Sequence, residues 1–257
     1  MGVGIINVCI APVRKSPSHQ SEMVTQLLFG ELFEIIYKNE GWFHIKLPTD
    51  LDVWVHQTQM YELSQKQHER ISKKSIALAF DAFNTGISEQ EHIPIVIGSE
   101  LHGFDGLSFK MGKEKIIYNG QVRMLNDKRL NPQIIEKICL KYLNAPFLWG
   151  GRSPFGIDAP GLVNIVYKLL GIFIPYTIAQ QEQSGRTLAF LPEAEVGDLL
   201  FFTDEENHPH VGILIEQNKV IHAFGKVRID QVDSHGLFDA KTNLYTHKLT
   251  SIKKISI

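Results

Sequence analysis

The chain is short of cysteine, of net charge and of long apolar runs, and each shortage removes a class of protein. Only Cys9 and Cys139 are present, so no disulfide framework staples the fold. Cys139 falls on the apolar face of a predicted helix and Cys9 in a strand-like run; both read as core thiols rather than reactive ones. The formal net charge of −2 over 257 residues leaves no footprint for nucleic acid or an anionic membrane surface. No apolar stretch approaches the ~20 residues that cross a bilayer. The first ten residues, Met1 to Ile10, lack a positive n-region, and their apolar run is too short for a signal peptide. This reading expects a cytoplasmic protein. The remaining composition, 44% hydrophobic and 21% charged, is that of an ordinary globular chain. The length suits two or three small domains.

Residues 3 to about 63 read as short strands with turns between them. Ile5-Ile6-Asn7-Val8 opens the series, and Leu32 to Tyr37 follows Gly30-Glu31. Trp42 to Leu47 follows Asn39-Glu40-Gly41, and Val53-Trp54-Val55 follows a turn at Pro48-Thr49-Asp50. Strands this short and this evenly punctuated predict a small barrel. Trp42 and Trp54 read as barrel core, with a ligand-facing role as the alternative. The polar stretch Glu62 to Ser75 reads as a connector. Strand-like runs return from Ile76 to Met124, with Asn119-Gly120 predicting a hairpin between Lys115–Tyr118 and Gln121–Met124. A second, more divergent barrel is expected here.

The third region opens with a predicted helix, Asn131 as its N-cap and Pro132 at its first position. Next comes Phe147 to Gly161, with glycines at 150, 151, 156 and 161. Such glycines permit sharp turns and close backbone approaches. After it, Leu162, Val163, Ile165, Val166, Leu169 and Leu170 recur at helical spacing, and Gly171 stops them. The loop-to-helix junction is a helix N-terminus, where free N–H groups and the dipole favour a thiolate nucleophile. The residue there is Ala159. Thr177 to Gln183 reads as a further helix. Gly197 to Phe202, His210 to Ile215 and Lys219 to Ala223 read as strands of an antiparallel sheet, so helices packed on a sheet give an α+β domain.

His210 and His222 sit on neighbouring strands, where adjacent antiparallel positions approach within a few ångströms. Three readings fit them. A helix-borne nucleophile beside a strand-borne His, oriented by a third polar group, is a cysteine hydrolase arrangement. The second reading makes either His an ordinary core or surface residue. A zinc site is the third reading, since His208 and His210 share a strand face; no cysteine or carboxylate pair near them in sequence completes the ligand set.

Taken together, Trp149-Gly150-Gly151, Gly156-Ile157-Asp158, Gly161, Gly197-Asp198-Leu199, His210-Val211-Gly212-Ile213 and Ile221-His222-Ala223 resemble the NlpC/P60 domain of bacterial cell-wall peptidases. Residues 1–125 resemble the tandem bacterial SH3 domains that precede it in the γ-D-glutamyl-L-diamino-acid endopeptidase, or dipeptidyl-peptidase VI, branch. That branch is cytoplasmic and acts on murein peptides with a free N-terminal L-Ala. The resemblance implies a papain-like α+β NlpC/P60 domain at 129–257, an SH3-like domain at 1–64 and a second at 65–128. It implies a small peptide with a free amine as partner, and no cofactor or metal. It places Ala159 at the nucleophile position, His210 at the base position and His222 at the position that orients the base. Asp158 matches the carboxylate that takes the substrate amine, and Trp149 a pocket aromatic.

The family motif Asp-Cys-Ser-Gly reads Asp158-Ala159-Pro160-Gly161 in this chain. Phe147 stands where the resemblance expects a tyrosine and Pro160 where it expects a serine. Tyr176 and Ile178 occupy a stretch that usually carries an arginine and a small or hydroxylated residue. A methyl cannot attack a carbonyl, and Ser153 lies across Gly156 from the helix start. The expectation is an inactive homologue that holds a peptide without cleaving it. Two alternatives stand: an active peptidase whose cysteine was mutated to Ala159, and an interaction protein with a blocked cleft.

Overall fold

A computed structural model describes residues 2–48, 51–127 and 131–255. The turn expected through Thr49 and Asp50, and the boundary expected at 128/129, lie outside the described residues. The chain forms two compact units. One holds residues up to Asp127 together with Trp149–Ser153, and the other holds the rest.

The first unit begins with seven strands: β1 (Gly2–Ile6), β2 (Ile10–Arg14), β3 (Met23–Leu28), β4 (Leu32–Asn39), β5 (Trp42–Lys46), β6 (Asp52–His56) and β7 (Met60–Leu63). They form one sheet in the order β3-β2-β6-β5-β4-β1-β7, with antiparallel neighbours. Trp42 and Trp54 are 7% and 8% exposed, so both rings are barrel core. The stretch read as a connector contains a helix, α1 (Gln65–Ser72). Its composition hid it because no residue of the helix is buried. What starts it is local: Ser64 and Gln67 form a reciprocal capping box.

Seven more strands follow: β8 (Ile76–Ala79), β9 (Phe83–Ile87), β10 (His92–Val96), β11 (Glu100–His102), β12 (Ser108–Met111), β13 (Glu114–Ile117) and β14 (Val122–Met124). They make two small sheets, β10-β9-β13-β12 and β11-β8-β14. The predicted hairpin at Asn119-Gly120 does not form. Strand β13 pairs instead with β12, across a turn at Gly112 with φ +63°. Strand β14 pairs with β8. Between them Tyr118 is 1% exposed in the core, and Gln121 bonds the backbone of Phe80 and the carboxylate of Asp81, which carries the chain to the other sheet. Phe29, from the turn after β3, packs into this second core with Ala77, Leu101, Phe109 and Ile116.

The segment Trp149–Ser153, ending in β15 (Arg152–Ser153), belongs to this unit although it lies far along the chain. Arg152 is 1% exposed and grips the carboxylate of Glu31 with two bonds, of 2.9 and 2.8 Å. Its backbone N–H donates to the Gln26 side chain and its Nη1 to the Gln26 carbonyl, each at 2.8 Å. Gly150 must lack a side chain, because a Cβ would stand 2.4 Å from the carbonyl oxygen of Met23.

The second unit contains α2 (Pro132–Leu140), β16 (Gly156–Ile157), α3 (Ala159–Leu169), α4 (Ile178–Glu182) and β17 (Arg186–Leu188). Asn131, Asp158 and Thr177 cap the three helices through their side chains. Six further strands follow: β18 (Leu199–Thr203), β19 (Pro209–Glu216), β20 (Lys219–Phe224), β21 (Lys226–Val232), β22 (Gly236–Asp239) and β23 (Leu244–Lys254). The sheet is antiparallel, as predicted, and it is closed. Strand β22 pairs with both β21 and β23, while β23 also pairs with β18, so the six strands close into a ring. Helix α3 packs on β19 and β20. No helix among the described residues is long and apolar enough to cross a membrane.

Removing one partner of a buried ion pair strands a desolvated charge, at a cost of roughly 3–5 kcal/mol. Arg152→Ala is therefore expected to lower the stability of the first unit by about that amount. Lys38→Ala, which removes an exposed pair with Glu62, is expected to cost under about 1 kcal/mol. All three tryptophans lie in this unit, so fluorescence-monitored urea unfolding reads it directly. Equal midpoints for the two variants would contradict the assignment.

Candidate functional site

Helix α3 starts where the sequence places it. Asp158 is the N-cap, with Oδ1 accepting from the Gly161 N–H at 2.7 Å. Ala159 and Pro160 occupy the first two helical positions. There the N–H that proline lacks has no intrahelical partner to lose. Ala159 is 3% exposed. Gln181 on α4 is fully buried and donates to the carbonyls of Pro160, at 2.9 Å, and Pro175, at 2.8 Å. That amide fastens the stretch carrying half-buried Tyr176 and Ile178 to the residue after Ala159.

The two predicted histidines meet. His210 on β19 and His222 on β20 are joined Nε2 to Nδ1 at 2.9 Å, and both are buried. The sequence reading missed what lies behind them. His222 Nε2 contacts Asp230 Oδ2 on β21 at 3.1 Å. Arg228 holds Asp230 and bridges to Asp239 on β22 at 2.9 Å. His247 on β23 stacks on His210, ring centres 4.5 Å apart. The one signal for these residues was Arg228-Ile229-Asp230, whose alternation reads equally well as a solvated strand face. His208 does not join the cluster. It is exposed at the strand end and bonds Asp204, and no metal-holding group occurs among the described residues.

The protonation pattern follows from these contacts. Burial pushes the Asp230 carboxyl up, but the bonds and charges of His222 and Arg228 outweigh it, so its pKa lies below the usual carboxylate range. A carboxylate accepts only, so His222 Nε2 carries hydrogen. In the neutral pair the lone pair of His222 Nδ1 then accepts from His210 Nε2–H, which leaves His210 Nδ1 as the base nitrogen. Burial, with the neighbouring rings of His222 and His247, holds the His210 pKa well below its ordinary value. His210 is thus a neutral, oriented imidazole. The first position of α3 carries a methyl, that of Ala159.

The remaining predicted residues are placed as follows. Trp149 belongs to the first unit, is 64% exposed, and donates from its indole to Glu22 at 3.1 Å. Phe147 is exposed in the second unit, its N–H bonded to the carbonyl of Gly225. Ser153 is buried in the first unit.

The NlpC/P60 family matches residues 144–245, and the bacterial dipeptidyl-peptidase SH3 domain matches 13–59. The chain carries an NlpC/P60 domain and a bacterial SH3 domain. It is 25% identical over 213 residues to the gamma-D-glutamyl-L-lysine dipeptidyl-peptidase of Bacillus subtilis, covering 77% of this chain and 71% of the relative. It is 24% identical over 275 aligned positions to dipeptidyl-peptidase 6 of Lysinibacillus sphaericus, covering 91% and 93%. Its fold matches that of an NlpC/P60 family protein from Bacillus cereus with a TM-score of 0.80 at 17% identity, over 98% of this chain and 99% of the other. The histidine network and the Ala159 methyl both belong to the NlpC/P60 domain.

Acid should loosen this domain through its histidines. Burial, with the charge of His222, lowers the His247 pKa from 6.5 to about 4. The unfolded chain therefore binds more protons between those values, and stability rises with pH there. The contribution is complete above pH 6.5 and is lost on descending to about pH 4, with His210 acting in the same direction. Thermal melting should fall across that window. His247→Gln is expected to flatten the slope by about 1.4 kcal/mol per pH unit, even where it lowers stability at neutral pH. An unchanged slope would contradict the linkage.

Proposed function

We propose that this protein is a catalytically silent member of the γ-D-glutamyl peptidase lineage that holds a small murein-type peptide without cleaving it. The observation that carries the reading is Ala159 at the first position of α3 in a domain whose base network is otherwise assembled. Losing a triad nucleophile typically costs about a million-fold in rate, and no hydroxyl or thiol on α3's first turn replaces it. In this reading Ala159 occupies the vacated nucleophile position, with His210 at the base position and His222 orienting it through Asp230. Asp158 supplies a negative charge for the peptide amine, while Phe147, Pro160, Tyr176 and Ile178 belong to the same unit. Both curated relatives are named as dipeptidyl-peptidases, and the B. subtilis name specifies a γ-D-glutamyl-L-lysine substrate. This is the ligand class to test, and a cytoplasmic location fits such peptides.

Purified protein should release no product from L-Ala-γ-D-Glu-L-Lys. Turnover that disappears in His210→Ala would end the silent reading. Ala159→Cys alone should restore little activity, since Phe147 and Pro160 depart as well; rates like those of an active relative would establish instead a peptidase silenced by one substitution.

Calorimetry with the same tripeptide should show binding at millimolar concentration or tighter. Asp158→Asn keeps the helix cap but removes the charge. It should weaken binding about tenfold, the order expected for losing one charge-assisted hydrogen bond, with little change in melting. Absence of binding at millimolar peptide would leave an interaction protein with a blocked cleft.

A further inference from the structure

The first unit contains a cleft that the peptidase lineage does not account for. It has a volume of about 530 Å³ and lies among β1, β7, α1, β10 and the β12–β13 hairpin. Its apolar wall includes Ile5, Phe29, Ile71 and Ile93. Arg70 and Lys74 enter from α1 and the residues after it, and Lys110 and Lys113 from the hairpin.

The cations are not explained by neighbours of opposite sign. Among the described residues, none of Arg70, Lys74, Lys110 and Lys113 has an ion pair or side-chain hydrogen bond. Arg70 is in the last turn of α1, where the helix dipole favours a cation. That accounts for one charge. It does not account for Lys110, which arrives from a different strand. Lys74 is held rather than free: its N–H bonds the carbonyl of Ile71, and its stem runs over Gly103, where a Cβ would stand 2.6 Å from Lys74 Cδ. Burial, then the like charges of Arg70 and Lys110, lowers the pKa of its ammonium. The carboxylates of Glu91 and Glu114 also line the cleft. Neither is among the groups that act on Lys74, and Glu62 is engaged by Lys38. A fixed ammonium with two cations beside it and no anion against it is a site whose repulsion a bound anion relieves.

We infer that this cleft binds a small ligand whose oxyanion, a carboxylate or a phosphate, sits at Lys74 among Arg70 and Lys110 while its short apolar body covers Ile71 and Ile93. A compact ammonium suits either oxyanion as a point charge, whereas the apolar wall selects against a bare ion.

The test uses the full chain and three probes: hexanoate, phenyl phosphate and the uncharged hexanamide. Hexanoate or phenyl phosphate should bind saturably at low millimolar concentration and weaken as salt rises from 50 to 500 mM. Binding should also raise the Lys74 ammonium pKa followed by NMR. Binding of hexanoate alone assigns the site to carboxylates, and binding of both assigns it to oxyanions generally. Lys74→Met, which keeps the stem, should weaken binding at least tenfold, while Lys66→Met on the same helix should leave it unchanged. Hexanamide binding as tightly as hexanoate, no binding of either anion at 10 mM, or equal loss in Lys66→Met would each overturn the inference.

Discussion

The carboxylate of Glu31 is the constraint on which the first unit depends. One oxygen takes both the Arg152 guanidinium and the Leu28 N–H, so the same group that captures a distant segment also shapes the turn at the end of β3. That turn needs Gly30, where a Cβ would fall 2.0 Å from the Glu100 carbonyl oxygen. It delivers Phe29 into the second core. A bidentate guanidinium–carboxylate pair is among the strongest contacts available to a buried charge. Here Gln26 takes two further Arg152 donors, the backbone N–H and Nη1. Hydrophobic pairs of equal volume often stabilise as much. They would not fix the direction in which residues 149–153, and with them Trp149, are presented.

In the NlpC/P60 domain the corresponding feature is a polar network that closes on itself. His210, His222, Asp230, Arg228 and Asp239 form a continuous chain of contacts across four strands. The closing of the sheet through β22 and β23 brings Asp239 and His247 to it. None of these residues relies on a group at position 159 for its partners. Alanine at the first helical turn is moreover a good helix former, proline is tolerated there, and Asp158 still caps. Alanine at position 159 thus leaves the fold and the histidine network without an unpaired charge, so the proposed loss of a nucleophile there need not cost stability.

What the sequence revealed was what local rules govern. Asn131 and Thr177 marked helix starts because a cap acts within three residues, and the start of α3 was legible from the apolar spacing that follows it. His210 and His222 were legible because a hairpin fixes their register. The failures are non-local. Arg152 and Glu31 are 121 positions apart, and nothing in either neighbourhood points to the other. Asp230, Asp239 and His247 become partners only when the sheet closes, which strand periodicity does not encode. Asn119-Gly120 carried a strong hairpin signal, but burial of Tyr118 and the bonds of Gln121 moved the chain to another sheet. Helix α1 buries no side chain, so its apolar pattern was absent and only its capping box marked it.

In the proposed reading the histidine pair keeps a use without a nucleophile. In an acyl-transfer enzyme the groups that hold the peptide are distinct from the nucleophile and base that change bonding in the transition state. On that reading Ala159 puts a methyl at the nucleophile position. The ring of His210, neutral at pH 7 because burial and its histidine neighbours depress its pKa, retains a lone pair able to accept an N–H. A charged imidazolium would repel the cationic amine that Asp158 is proposed to attract, whereas a neutral one does not. The burial that would tune His210 as a catalytic base therefore also makes it compatible with retaining an amine-bearing peptide, so the proposed shift from cleaving to holding requires no rearrangement of the histidine network.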